Sequence, residues 1–293
     1  MSIAAALPDS RPLERARRHL TPLAAGLTLL IIVVAVVAAF PLAWMILTSL
    51  KTPQETMHVP PVWLPATPSL DAYAKVAGVI SIGRSFLNSA IIALVTTAAI
   101  LVTSLMAGYA FAKYRFRYRE ALFALLIATM FLPPIVTLIP LYRIVGYLGL
   151  TGSLAGVVVP NLANAFGIFL MRQFIRGVPD ELIEAARVDG ASELRVLFQI
   201  VAPSVLPAIA ALTLFAFVYH WNSYLWPLTV LEGNDQHAPI VLSLARLLTY
   251  TGSAQNTPLV MAGATLAVIP PLLLFVVLQR QFVTTLTRSG LSG

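Results

Sequence analysis

Residues 23–48 read LAAGLTLLIIVVAVVAAFPLAWMILT, an apolar block without a single charged side chain. A helix needs about 20 apolar residues to cross the hydrocarbon core of a bilayer, and this block is long enough to do so. Five more apolar blocks follow, at about 86–112, 119–143, 153–173, 204–229 and 258–283. Of the 293 residues 58% are hydrophobic and only 11% charged, against about 25% charged in an ordinary soluble domain. The chain therefore reads as an all-α integral membrane protein with six transmembrane helices. A spanning barrel would show alternating segments of about 10 residues instead.

The basic residues set the orientation, because loops on the cytoplasmic side collect Lys and Arg. One set of loops holds Arg11, Arg15, Arg17, Arg18, Lys113, Arg115, Arg117, Arg119, Arg172, Arg176, Arg187, Arg195, Arg280 and Arg288, which is 14 of the 19 basic residues. The other set holds Lys51, Lys75, Arg84, Arg143 and Arg246. Six spans with both termini cytoplasmic fit this split. The net charge of +7 is then a topology signal; the charges scatter over four loops, which does not suit a nucleic-acid surface.

The first block follows a basic N-terminus, as a signal peptide would, but it exceeds a 7–15-residue signal core. Trp44 and Lys51 mark its interfacial end, so an uncleaved first helix is expected. There is no cysteine, which excludes disulfides and thiolate metal sites. The four histidines, His19, His58, His220 and His237, lie far apart and offer no metal pair.

Residues 174–203 are the one long segment between spans that mixes acids and bases. They carry Asp180, Glu181, Glu184, Asp189 and Glu193, five of the chain's twelve acids. The local pattern predicts helix–turn–helix. Pro179 suits a first helical position, with Asp180 and Glu181 favourable in the first turn. Gly190 suits a left-handed stop, Ser192 a cap for a second helix, and Pro203 a break where the fifth span begins. Ala185 and Ala186 are small enough to let another surface approach the backbone, and Glu184 offers a carboxylate to a partner donor. A solvated amphipathic loop helix is the plainer reading of the same spacing.

Glu184-Ala185-Ala186-Arg187-Val188-Asp189-Gly190, continued through Ile200 and Pro203, has the form E-A-A-x3-G-x9-I-x-x-P. This resembles the cytoplasmic loop signature of permease subunits in binding-protein-dependent ABC importers. Trp221-Asn222-Ser223-Tyr224-Leu225-Trp226-Pro227-Leu228, Phe169-Leu170-Met171-Arg172-Gln173-Phe174 and Gln279-Arg280-Gln281-Phe282-Val283 resemble segments of the maltose-type branch of sugar permeases. Ala202 departs from the usual leucine, and the tail Thr285-Leu286-Thr287-Arg288-Ser289-Gly290-Leu291-Ser292-Gly293 lacks the lysine common among relatives.

The resemblance implies a type I ABC importer-like bundle at residues 23–283 in a bacterial plasma (inner) membrane. A basic N-terminus, 1–22, and a tail, 284–293, would both be cytoplasmic. It implies a coupling helix formed by Glu184, Ala185, Ala186, Arg187, Asp189 and Gly190. The implied partners are a second permease subunit, two ATPase subunits, an extracytoplasmic solute-binding protein and membrane lipid. The solute would be a carbohydrate or related polyol. ATP and magnesium would be used by the partner, with no cofactor bound by this chain. In keeping with that, Lys51, Lys75 and Lys113 never follow glycine, so no G-K-[ST] phosphate loop exists.

Polar residues within spans tend to face a bundle interior or cavity. Asn161 and Asn164, three apart in the fourth block, are expected on one helical face that Gly167 continues. They suit either a solute pathway or an interhelical hydrogen bond. Tyr219 and Asn222 are candidates for the same pathway. Trp221, Tyr224 and Trp226 read as interfacial belt residues. Pro133-Pro134 and Pro270-Pro271 leave open a stand-alone secondary transporter or channel, though kinks tolerated inside a bundle explain them too. A membrane enzyme would need a nucleophile–base cluster, which the loops do not offer. The proline-rich loop 49–85 is expected to be ordered, and Ile240, Leu244 and Leu247 to form an apolar helical face before a polar turn at 251–256.

Overall fold

The computed structural model describes residues 22–251 and 256–289. The predicted basic stretch at 11–18, the turn at 252–255 and the last four residues lie outside the described residues. The chain divides into two units, residues 1–44 and 45–293. The described part of the first is a stretch of α1, Pro22–Ser49.

The remaining helices are α2 (Pro53–Met57), α3 (Asp71–Val79), α4 (Ile82–Lys113), α5 (Arg119–Thr129), α6 (Pro134–Tyr147), α7 (Leu154–Val158), α8 (Ala165–Arg176), α9 (Asp180–Val188), α10 (Glu193–Val196), α11 (Ala202–Ser204), α12 (Leu206–Trp221), α13 (Leu225–Val230), α14 (Ile240–Thr251) and α15 (Thr257–Ser289). Each predicted apolar block falls on helix. Among the described residues four stretches are long and apolar enough to cross a membrane, Ala24–Ser49, Ile82–Lys113, Leu154–Arg176 and Thr257–Gln281, and the count is six if each of two bent pairs is one span.

The third and fifth blocks are not single rods. α5 and α6 meet at 101° across Met130–Pro133. Pro133 is extended (φ −60°, ψ 133°) and Pro134 opens α6; a proline disfavours the helical region in the residue before it and cannot donate within the ladder. Where the polar loop meets the fifth block, Glu193–Ser204 and Leu206–Trp221 meet at 86°, flanked by Pro203 and Pro207. A π-helical turn at Leu197–Val201 precedes that bend. The block breaks again after Trp221, so its outer part is the separate α13. Pro270 and Pro271, by contrast, remain inside a continuous α15.

α4 is the axis of the second unit and packs chiefly against α8 and α12. The approach to α8 depends on two glycines. A Cβ at Gly108 would stand 2.6 Å from the Met171 Cβ, and one at Gly167 would collide with the Ser104 hydroxyl. Small residues let backbones come close where lipid supplies no hydrophobic drive between helices. Ile100, Leu105, Met171, Ile175 and Leu212 fill this contact, and the same cluster runs on into Ile183, Val196 and Val201 of the polar loop. A second cluster centres on Trp221, Phe217, Ile240, Leu244 and Leu247.

The loop at 49–85 folds into the short helices α2 and α3. Thr52 and Glu55 form a reciprocal capping box on α2, Ala66 donates its N–H to Glu55 at 2.7 Å, and buried Lys51 donates to the Val62 carbonyl at 2.6 Å. In α14, Ile240, Leu244 and Leu247 are all buried, so the predicted apolar face packs inward.

Candidate coupling loop and solute cavity

α9 starts and stops on local rules. Pro179 sits one residue earlier than expected, at the N-cap (φ −57°, ψ 135°), with Asp180 and Glu181 in the first turn. Its extended ψ places the helix boundary after it, so the first helical position expected for Pro179 falls to Asp180. Gly190 has φ +80°, the left-handed region where side chains are strained. The N–H of Gly190 meets the Arg187 carbonyl at 3.0 Å and that of Ala191 the Ala186 carbonyl at 3.0 Å. Ser192 then caps α10 by accepting from the Arg195 N–H at 3.4 Å.

The two alanines face opposite ways. Ala186 is buried with Ile183 against Val178 and Val196, so it packs α9 onto the bundle and presents nothing outward; the 3.6-residue period turns it inward. Ala185 is exposed. Glu184 is exposed and makes no hydrogen bond or ion pair among the described residues. Two apolar side chains that the sequence reading left out share the outward face: Leu182 is half exposed and Val188 is 86% exposed.

Arg187 belongs to an internal brace. Its Nε donates to Glu193 Oε1 at 2.8 Å and its second guanidinium nitrogen to Oε2 at 3.2 Å. Tyr114 and Tyr109 donate their hydroxyls to the same carboxylate at 2.5 and 3.1 Å. The Arg187 hydrogen bond, joined by that of Tyr114, holds the Glu193 carboxyl down at about 2. Burial, then the bond to Glu193, pushes the Tyr114 phenol up. At the other end of α9, Lys113 donates to the Val178 carbonyl and to Asp180 Oδ1, both at 2.6 Å, and this keeps the Asp180 carboxyl below its usual range. Both ends of α9 are thus tied to the end of α4. Nearby, Arg172 reaches both oxygens of Glu120 at 3.0 Å and lies 3.8 Å from the Phe123 ring centre.

Helices α8, α12 and α15 border an open-sided cavity of ≈ 730 Å³, with Phe215 and Tyr219 on its wall more than half exposed. Asn164, Tyr219 and Asn222 line it; a neighbouring cavity of ≈ 480 Å³ is lined by Asn161, Tyr219 and Asn222. Tyr219 and Asn222 therefore border both spaces. Asn161 and Asn164 do not share a helical face, because the helix breaks between them. Asn161 closes a 3-10 turn and donates to the Val157 carbonyl at 2.9 Å. Asn164 is the N-cap of α8 and accepts from the Gly167 N–H at 3.0 Å. An asparagine that can cap competes with helix continuation. Trp221 is a core residue, not a belt residue: 2% exposed, it stacks on Phe217 and donates to the Ala267 carbonyl at 2.9 Å. Trp226 donates to the Val157 carbonyl at 3.2 Å. His220, which also borders the larger cavity, was not among the expected site residues; a polar ring within an apolar run was the available signal.

Apolar helices, three of the predicted blocks interrupted, beside an open-sided cavity, with a polar helix–turn–helix fastened at one end, have the form of a multi-pass transport permease. Residues 99–288 match the family model "Binding-protein-dependent transport system inner membrane component", and the chain belongs to that family. It is a permease subunit of an ABC importer in the inner membrane, and the family is one of transport permeases, not enzymes. The stand-alone carrier and enzyme readings fall with that assignment. The chain is 32% identical over 288 residues to the sn-glycerol-3-phosphate transport system permease protein UgpE of Agrobacterium fabrum, covering 96% of this chain and 99% of that one. It is 35% identical over 249 residues to the lactose transport system permease protein LacG of Rhizobium radiobacter, covering 85% and 89%. Its fold matches a crystal structure of a bacterial ABC transporter involved in the import of the acidic polysaccharide alginate. The TM-score is 0.76 at 24% identity, with 88% of this chain and 95% of that chain covered.

Proposed function

We propose that this subunit forms half of the pathway for a carbohydrate or related polyol and receives its driving force through α9 from a separate ATPase. The observation that carries the reading is the two-sided character of α9. Its inward face is buried and both its ends are tied to α4, while Leu182, Glu184, Ala185 and Val188 face outward. A helix braced from behind and bare in front can transmit a push. The relatives named for sn-glycerol-3-phosphate and lactose transport support the solute class.

In this reading the loop 174–203 and both termini lie in the cytoplasm. Two ATPase subunits bind ATP with magnesium and close; this chain binds no cofactor of its own. A second permease completes the pathway, and an extracytoplasmic binding protein delivers solute. Closure draws α9 inward, α4 moves with it, and Asn161, Asn164, Tyr219 and Asn222 form part of the wall along which solute passes. Glu184, Ala185, Arg187, Asp189 and Gly190 build or present the docking element, with Ala186 seating it.

Replacing Glu184 with lysine in the assembled importer tests this. Uptake should fall to background and ATP hydrolysis should lose its response to loaded binding protein, with the purified subunit folded as before. Survival of both activities in Glu184→Lys would overturn the assignment.

A further inference from the structure

His220 is 7% exposed and lies on α12 beside the larger cavity. Neither ring nitrogen meets a hydrogen-bond partner among the described residues; the ring lies edge-on to Tyr219, with centroids 5.1 Å apart. This is unusual within the same bundle. The next residue, Trp221, has its N–H satisfied by Ala267, and Asn88, buried on α4, donates to the carbonyls of Gln236 and Ala238. The hydroxyls of Thr48, Thr96, Thr97 and Ser104 do lack partners, but they are sealed from solvent, whereas His220 borders open space. An imidazole carries a donor and an acceptor in its neutral form, and with no protein partner both are left to whatever fills the space beside the ring. A buried, unpartnered polar ring on a cavity wall points to a ligand.

We infer that His220 contacts the transported solute and that the cavity takes an uncharged polyhydroxyl compound. The inference rests on the reading of this cavity as solute pathway. Asn164, Tyr219 and Asn222 border the same space and can exchange hydrogen bonds with hydroxyls. Phe166, Phe215 and Phe275 add ring surface against which the C–H face of a sugar can pack. No residue lining the cavity is Lys, Arg, Asp or Glu. An anion entering it would shed water without meeting a full counter-charge. The N-terminus of α8 offers only a partial positive charge, and Asn164 already accepts from one of its N–H groups. A neutral sugar trades hydroxyl–water bonds for hydroxyl–protein bonds and loses little. The solute is thus placed with uncharged saccharides, away from the phosphorylated polyols and acidic saccharides named for some relatives.

The chain has no cysteine, so His220→Cys introduces a single thiol. The test uses the assembled importer, reconstituted with its ATPase and binding protein, and a small uncharged thiol reagent. Glycerol, lactose and arabinobiose, applied together, should slow labelling; sn-glycerol 3-phosphate and glucuronate should not. Protection by the anions alone, or by neither set, overturns the solute class. A thiol that stays unreactive in every nucleotide state instead removes the cavity from the pathway and overturns the underlying reading. Uptake of whichever saccharide protects then tests the residue. His220→Gln, which keeps a donor and an acceptor, should hold KM near that of the parent. His220→Phe should raise KM about tenfold, the factor that loss of one ordinary hydrogen bond gives. An unchanged KM in His220→Phe overturns the contact.

Discussion

Lys113 donates to Asp180 at 2.6 Å, which fastens the last residue of α4 to the first residue of α9. The lysine is 8% exposed at its side chain and the aspartate 72%. An exposed carboxylate contributes little through the ion pair itself, so the bond to the Val178 carbonyl matters more. Lys113→Met keeps the stem and removes both bonds. It should weaken the seating of α9 by about 1–2 kcal/mol, seen as about tenfold faster hydrogen exchange at the amides of 184–188. Exchange unchanged there would mean that apolar packing alone seats the helix.

Glu193 ties the far end of α9 to Tyr109, Tyr114 and Arg187, and the sign of its pH dependence is fixed. Its carboxyl sits at about 2 in the fold against an ordinary 4.5. Above the ordinary value it is charged both folded and unfolded, and its stabilisation is complete. As pH falls below that value the unfolded chain takes up a proton that the fold refuses, so the stabilisation drains away toward pH 2. Thermal unfolding in detergent should show the parent above Glu193→Gln at neutral pH and the two converging in that acid window. A gap that persists at the acid end would contradict the brace.

Gly190, at φ +80° with nothing near its missing Cβ, isolates a backbone effect. Gly190→Ala should cost roughly 1 kcal/mol through conformation alone, or about 2 °C in melting temperature for a chain of this size. Gly190→Asn should cost less, because asparagine tolerates the left-handed region. Equal melting temperatures for all three would show that the turn relaxes to another conformation.

Several features were legible because they follow from local rules. Long apolar runs with few charges predict spans, and Asp180, Gly190 and Ser192 hold the helix-start, helix-stop and cap positions that their side chains favour. The sequence reading failed where many apolar residues surround one another. The run from Leu206 to Trp221 is apolar on all sides, so no face stands out, and Trp221 read as a belt residue when it is core. Asn164 could continue a helix or cap a new one, and apolar density on both sides hid the break. The brace joins Tyr109 and Tyr114 to Glu193 across some 80 positions of sequence, a distance that no periodicity spans. Ala186 belonged to a motif that gave no facing, and only the packing of Ile183 and Val196 around it supplied one.

Val188 projects from the outward face of α9 with 86% of its surface exposed, and the chain has no other thiol to confuse a cysteine placed there. The most direct measurement is therefore cross-linking of Val188→Cys in the assembled importer with a short thiol–amine reagent. The expected result is one adduct between this subunit and the ATPase, formed from the cytoplasmic side and changed in yield by ATP. A thiol that reacts only with a membrane-impermeant reagent from outside, or that forms no ATPase adduct in any nucleotide state, contradicts the proposal that α9 carries the drive.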